Sequence, residues 1–259
     1  MKILLDAGHY GKYNQSPVNP QYYESEVMWR LQGLLQAELL SYGAIVDTTR
    51  SDINQNPTVY NRGRMAEGYD LFISLHSNAS SSPKTDRVDI YCPIDNRNGS
   101  QDFGKALAQG IADLMGVSYG QTKTKQGVKG EYYGVLRGAM DANCPMYFLI
   151  EHSFHTNEYA TNWLLNQQNL AMLAMLEADI IAQKYGLEKP FIKGDVNGNG
   201  KLDPRDYILA KRIYFGTYTP TEDELRRCDI NGDGKVTARD YLLIKRAVFG
   251  SEEIREKRE

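Results

Sequence analysis

Apolar and polar positions along the first two thirds of the chain switch between two periods. Lys2–Leu5 is a short apolar run that turns polar at Asp6-Ala7-Gly8-His9, which predicts a buried strand with a polar exit. Over Glu26–Tyr42, Val27, Leu31, Leu34, Leu35 and Leu39 share one helical face, and Gly43 stops the pattern. Ala44–Thr48 reads as a strand and Asn61–Tyr69 as a helix. Leu71–Leu75 is an apolar strand ending at His76, Phe103–Met115 a helix, and Tyr147–Ile150 a buried strand ending at Glu151. Asn162–Tyr185 holds one or two further helices. Strands alternating with helices predict an α/β fold: a layered, largely parallel sheet flanked by helices, spanning residues 1–187. Glu188-Lys189-Pro190 opens a linker over 188–193.

Beyond the linker the pattern changes. Asp195-Val196-Asn197-Gly198-Asn199-Gly200-Lys201-Leu202-Asp203-Pro204-Arg205-Asp206 is nearly repeated as Asp229-Ile230-Asn231-Gly232-Asp233-Gly234-Lys235-Val236-Thr237-Ala238-Arg239-Asp240, 34 residues on (229 − 195). Each copy leads into a helical pattern, Tyr207–Gly216 and Tyr241–Gly250. Calcium takes six to eight oxygens, roughly 2.3–2.6 Å away, from alternate positions of such a loop. Asp195, Asn197 and Asn199 in the first loop, and Asp229, Asn231 and Asp233 in the second, supply the first three side chains. Lys201 and Lys235 need give only their carbonyls; Asp203 and Thr237 act through water, and Asp206 and Asp240 close the loops. Gly200 and Gly234 stand where the turn excludes a Cβ. An aspartate at the closing position departs from the usual glutamate and implies a slightly tighter loop. One such loop could be a plain Asn/Gly/Asp turn; two in register predict two structural calcium ions. Neither following helix can bury its apolar face alone, so the two should pair in a small all-α domain over 194–250, before a charged tail, 251–259, expected to fray.

Composition narrows the class further. Hydrophobic residues make up 41% of the 259, enough for an ordinary core, and a net charge of −3 argues against nucleic acid as partner. Cys92, Cys144 and Cys228 show neither pairing nor metal spacing. No apolar run is long enough to span a membrane. The N-terminus turns polar too soon for a signal peptide, so either a signal has been trimmed or the protein leaves the cell by another route.

His9, His76 and Glu151 each follow an apolar strand, and in open α/β sheets ligands gather at the carboxyl ends of strands. Two histidines, a carboxylate and an open position make a catalytic zinc site. Small neighbours (Gly8, Ser77, Asn78, Ala79) leave room around His9 and His76. Glu24, opening the first long helix, is the leading third ligand, with Glu26 the alternative two residues on. Glu151 is the candidate to carry a proton from water to a leaving amine. Each residue also has a plainer reading: a hydrogen-bonded histidine, an acid favoured by a helix N-terminus, a glutamate paired with Arg137. Lys123, Lys125 and Lys129, with Gly127 and Gly130, read as a solvated loop; His152 and His155 read as structural.

The run Leu5-Asp6-Ala7-Gly8-His9, then Glu24, Thr49-Arg50, Asp70-Leu71-Phe72-Ile73-Ser74-Leu75-His76-Ser77-Asn78-Ala79, Val135-Leu136-Arg137 and Ile150-Glu151-His152-Ser153-Phe154 resembles the zinc-dependent N-acetylmuramoyl-L-alanine amidases of type 3. The resemblance runs from residue 2 to about 183. It implies one zinc ion on His9, Glu24 and His76, Glu151 as catalytic carboxylate, and cleavage of the amide joining N-acetylmuramic acid to L-alanine in peptidoglycan. Tyr10-Gly11 after His9 departs from the family's further glycine, which predicts a narrower mouth, and His155 stands where the family has a small or apolar residue. The tail resembles the type I dockerin domain: two loop-helix units without the preceding helix of an EF-hand, each with a Lys-Arg pair and a closing Phe-Gly. That implies docking onto a cohesin module of a scaffold protein. The selecting positions here are Pro204-Arg205 and Ala238-Arg239, with Lys211-Arg212 and Lys245-Arg246 on the helices. Two other settings compete with a docked hydrolase: a catalytically inactive wall-binding protein, and a phage-type endolysin whose tail binds the wall or a second copy of itself.

Overall fold

The computed structural model describes residues 1–251 and Ile254. The chain divides into two units, Met1–Leu40 with Ala44–Leu187, and Ser41–Gly43 with Glu188–Glu259. The expected fraying of 251–259 falls almost wholly outside the described residues.

In the first unit, six strands form one sheet in the order β2-β1-β3-β8-β4-β5. These are β1 (Lys2–Ala7), β2 (Ile45–Thr48), β3 (Leu71–Asn78), β4 (Val88–Tyr91), β5 (Gly120–Lys123) and β8 (Tyr147–Phe154). The pairings of β1 with β2 and β3, and of β3 with β8, are parallel; β4 runs antiparallel to β8 and parallel to β5. The sheet is therefore largely parallel, as expected. β8 lies at its centre and is buried along its whole length, which is why YFLIEHSF reads as a continuous run rather than an alternating one.

Helices α2 (Val59–Arg64) and α4 (Gly134–Asp141) pack on each other over one face of the sheet. Their shared core joins Leu4, Phe72, Tyr147 and Leu149 to Ala66, Val135, Leu136 and Ala139. On the other face Phe103 of α3 (Ser100–Met115) meets Phe148 edge to face, and α6 (Gln167–Tyr185) packs on α3. α1 (Glu24–Ser41) is tied to the strands by side chains. Gln32 accepts from the Ala7 amide at 2.8 Å, and Gln36 donates to the Val46 carbonyl at 2.9 Å. A short helix, α5 (Glu158–Leu165), links β8 to α6, and a two-residue-per-strand hairpin, β6 (Gln126–Gly127) and β7 (Gly130–Glu131), precedes α4.

Several boundaries differ from the sequence pattern. β3 and β8 continue through His76 and Glu151, so these two lie within strands rather than just beyond them. The α2 helix stops at Arg64, short of the expected Tyr69. Lys123 belongs to β5, and Gln126–Glu131 form the β6–β7 hairpin, where a solvated loop was expected.

In the second unit α7 (Pro204–Tyr214) and α9 (Ala238–Val248) pair around Val196, Ala210, Ile213, Cys228 and Ile244. Tyr241 stacks on both Tyr207 and Tyr214. A third helix, α8 (Glu222–Cys228), leads into the second loop, so the absence of a preceding helix holds for the first loop alone. Its start is fixed by a reciprocal Thr221–Glu224 capping box.

Candidate metal centre

β1 ends at Ala7, and the Gly8 amide continues its ladder to the Leu75 carbonyl at 2.9 Å. His9 then takes a left-handed backbone, φ 60°, a conformation that a residue with a Cβ keeps only when its surroundings enforce it. Buried Arg62, on α2, enforces it by donating to the carbonyls of Ala7 at 3.1 Å and His9 at 2.8 Å. The Tyr13 ring stacks on the imidazole at 5.0 Å and 20°. His76 leans across from β3 over Gly8. A Cβ on residue 8 would lie 2.5 Å from His76 Nδ1 and 2.8 Å from Nε2, so a glycine there is what admits the ring. The two imidazoles meet edge to face at 5.2 Å.

Glu24, the first residue of α1, closes the group. Its Oε2 lies 3.1 Å from His9 Nε2 and its Oε1 2.9 Å from His76 Nδ1. The three residues offer ligand atoms within 4.8 Å of one another. Glu24 is only 1% exposed. Burial alone would raise its proton affinity, but its bonds to His76 and His9 hold the carboxyl well below the usual range, so it is an anionic donor. The Ser77 amide donates to Oε1 at 3.0 Å, and the Asn14 side-chain amide donates to Oε2. Glu26 is half-buried and no part of the group.

Behind Glu24, His155 is buried, with Nδ1 2.9 Å from the Ser77 carbonyl and 3.8 Å from Glu24 Oε2. The Tyr22 hydroxyl donates to Ser77 Oγ at 2.8 Å, and its ring stacks on His155. His155 thus packs behind Glu24 as a buried side chain. His152 points away from the group: its Nδ1–H donates to the His76 carbonyl at 2.9 Å, and Nε2 meets Glu177 on α6 at 2.6 Å, both side chains fully buried.

Glu151 pairs with His76 across β8 and β3, so the two side chains share a face of the sheet. It does not pair with Arg137, whose Nη1 donates to the Glu131 carbonyl. Glu151 is 8% exposed and its Oε2 lacks any hydrogen-bond partner. Burial first, then the charges of Glu24 and Asp89, push its carboxyl well above the usual range, with Lys123 opposing. A buried, unsatisfied carboxylate with raised proton affinity is suited to receiving a proton and passing it on. A cavity of about 290 Å³ opens on His9 and His76, walled by Tyr10, Tyr13, Val59 and Val135.

The calcium-loop residues also assemble. Asp195 accepts from the amides of Asn199 at 3.0 Å and Gly200 at 2.8 Å, and Asp229 from those of Gly232 and Gly234, both at 2.8 Å. Asp206 and Asp240 reach back to the Asn197 and Asn231 amides while capping α7 and α9. The loops differ at one position. Asp203 is engaged by Arg205, whereas Thr237 donates to Asp240. Pro204, Arg205, Lys211, Arg212, Arg239, Lys245 and Arg246 are exposed and Ala238 partly so.

Nothing in the sequence alone distinguished Arg62, Asn14, Ser77, Tyr13 or Tyr22 as partners of the group. Their roles come from backbone carbonyls, amides and ring faces that only the folded chain brings together.

This donor set could hold a metal ion, and it lies on a largely parallel sheet beside a buried carboxylate. The chain belongs to the N-acetylmuramoyl-L-alanine amidase family, whose sequence model matches residues 3–183, and a type I dockerin model matches residues 193–249. The fold is similar to the catalytic domain of CwlV, an N-acetylmuramoyl-L-alanine amidase from Bacillus (Paenibacillus) polymyxa var. colistinus. That likeness has 20% identity and a TM-score of 0.62, over 72% of this chain and 99% of that one. An N-acetylmuramoyl-L-alanine amidase from Clostridium difficile 630 is similar at 19% identity and a TM-score of 0.62, over 71% and 96%. AmiC2 of Nostoc punctiforme is similar at 20% identity and a TM-score of 0.57, over 72% and 97%. No curated protein matches by sequence. Among the described residues no helix is long and apolar enough to cross a membrane.

Proposed function

We propose that the first unit is a zinc-dependent peptidoglycan amidase that hydrolyses the bond between N-acetylmuramic acid and L-alanine, acting outside the cell or in its wall. The observation that carries this reading is a trio of His9, Glu24 and His76 donors beside Glu151, a buried carboxylate with an unpartnered oxygen. Two imidazoles and an anionic carboxylate fit zinc, and the adjoining cavity leaves one side open. Zinc held by these three would polarise the amide carbonyl and lower the pKa of water. Glu24 and the Arg62-clamped His9 keep the donors in place before substrate arrives. Glu151 takes the proton of the attacking water and delivers it to the leaving nitrogen as the C–N bond breaks. Burial of Glu151 within the sheet limits its contact with bulk water during that transfer.

The second unit binds two structural calcium ions through the Asp195–Asp206 and Asp229–Asp240 loops and docks on a cohesin. Support comes from the dockerin match and from carboxylates already arranged by loop amides. The exposed Pro204-Arg205, Ala238-Arg239 and the two Lys-Arg pairs would meet the partner.

Purified peptidoglycan tests the catalytic half. A chelator should abolish release of new alanine amino termini, and zinc should restore it. Wall binding without any release would overturn the catalytic reading in favour of recognition alone. A calcium-dependent pull-down with cohesin modules tests the second unit.

A further inference from the structure

An amide substrate has two unlike halves, and the centre has two unlike sides. In the hydrolysis the water oxygen joins the acyl carbon, the C–N bond breaks, and one water proton passes through Glu151 to the departing nitrogen. The nitrogen must therefore sit on the Glu151 side of the metal ligands, because proton transfer needs hydrogen-bond reach. Strand order fixes what lies further that way. From β1 the sheet runs through His76 on β3 to Glu151 on β8, then to Asp89 on β4 and Gln121 on β5, each in register with the last. The peptide leaving with that nitrogen is thereby directed over β4 and β5, away from the loop that follows His9.

Along that edge two cations are held in place. Lys123 Nζ donates to Asp89 Oδ2 at 2.8 Å and lies 5.9 Å from the centre of the Tyr91 ring. An ammonium has three donors; one is spent on Asp89, and the side chain remains 30% exposed. Lys125, solvent-facing, lies 3.7 Å above the Tyr132 ring and 5.5 Å from the centre of Tyr133. Lysines fixed against aromatic faces lose less freedom on meeting an anion than free ones do.

The opposite side has a different chemistry. Tyr10 and Tyr13 stack at 5.8 Å and 23°, and Tyr13 stacks in turn on His9. Both tyrosines wall the cavity while staying 39% and 49% exposed. Lys12, in the same loop, turns onto Tyr23 and does not line the cavity. Aromatic edges and faces with hydroxyl tips suit a sugar, which offers C–H patches and hydroxyls together.

We propose that the substrate crosses the centre in one direction, its sugar-bearing acyl half against Tyr10 and Tyr13, and its leaving peptide over the β4–β5 edge with carboxylates on Lys123 and Lys125. This assignment rests on the amidase reading given above. It makes Lys125 and Tyr10 specificity residues for different halves of one molecule.

Three soluble substrates test it: a disaccharide peptide with free carboxylates, the same compound with its carboxylates amidated, and a lactoyl peptide without sugar. Lys125→Ala should raise KM about fivefold more for the carboxylate substrate than for its amidated twin, the scale of one exposed ion pair. Lys123→Met should act in the same sense. Tyr10→Ala should raise KM for the disaccharide peptide more than for the lactoyl peptide. Equal changes on both members of either pair, or an exchange of the two effects, would overturn the orientation. A wild-type enzyme without turnover on all three would instead overturn the amidase reading itself.

Discussion

Gly8→Ala tests the geometry of the centre through a single methyl group. The added Cβ would lie 2.5 Å from His76 Nδ1 and 2.8 Å from Nε2, with Cε1 closer still. Ordinary contact begins near 3.4 Å, so the imidazole must retreat by about 1 Å. Zinc–nitrogen bonds tolerate about 0.2 Å of displacement, so the variant loses His76 as a ligand. Zinc affinity should fall at least 100-fold, beyond the roughly 10- to 100-fold typical of losing a supporting hydrogen bond. The assay is zinc competition against a chromophoric chelator, with circular dichroism to establish that the fold persists. Gly33→Ala is the control. It lies within α1 with no atom inside 4 Å of the added Cβ, and it should keep wild-type zinc affinity while gaining up to about 1 kcal/mol of stability. Stoichiometric zinc at wild-type affinity in Gly8→Ala would refute the claim that an empty position under the ring admits His76.

Glu151→Gln should keep zinc and lose turnover, measured by metal content and alanine release. The raised proton affinity of Glu151 adds a stability test in metal-free protein. The fold prefers this carboxyl protonated, so its ionisation costs stability as pH rises above the usual carboxylate value. Glu151→Gln should melt above wild type at about pH 8, and the gap should close by about pH 4; a constant gap would contradict the assignment. Arg62→Lys keeps a cation near Asp6 but gives up the donors clamping Ala7 and His9. It should cost about 2 kcal/mol in denaturant unfolding and at least tenfold in zinc affinity. Calcium removal with EGTA should reduce the far-ultraviolet helical signal and abolish cohesin capture, and calcium should restore both; capture that persists in EGTA would contradict the docking role of the loops.

The site's chemistry was more legible in the sequence than its architecture. Histidines are few, glycine and small residues flank them, and apolar runs mark β3 and β8, so the sequence pattern alone singles out His9, His76 and Glu151. Glu24 and Glu26 were harder to separate. Two residues on a helix point about 200° apart, and only the placement of α1 decides which one faces the strands. The edge of the sheet was not visible. β5 is Gly-Gln-Thr-Lys, without an apolar residue, and becomes a strand because β4 supplies its partners. α4, Gly-Val-Leu-Arg-Gly-Ala-Met-Asp, carries two glycines that weaken helix propensity; packing against α2 overrides it. The α8 helix did have a signal, Thr221 followed three residues later by Glu224, which the pattern of the loops overshadowed.

The buried His152–Glu177 contact ties the last long helix of the first unit to the backbone of His76, more than a hundred positions upstream. During synthesis, His9, Glu24, His76 and Glu151 all emerge before Glu177 does. Until α6 docks, His152 Nε2 lacks its Glu177 partner, and the ring that donates to the His76 carbonyl is held from one side only. The group therefore matures late, when nearly the whole unit exists, and a nascent or prematurely terminated chain presents His9, Glu24, His76 and Glu151 without the scaffold that steadies them.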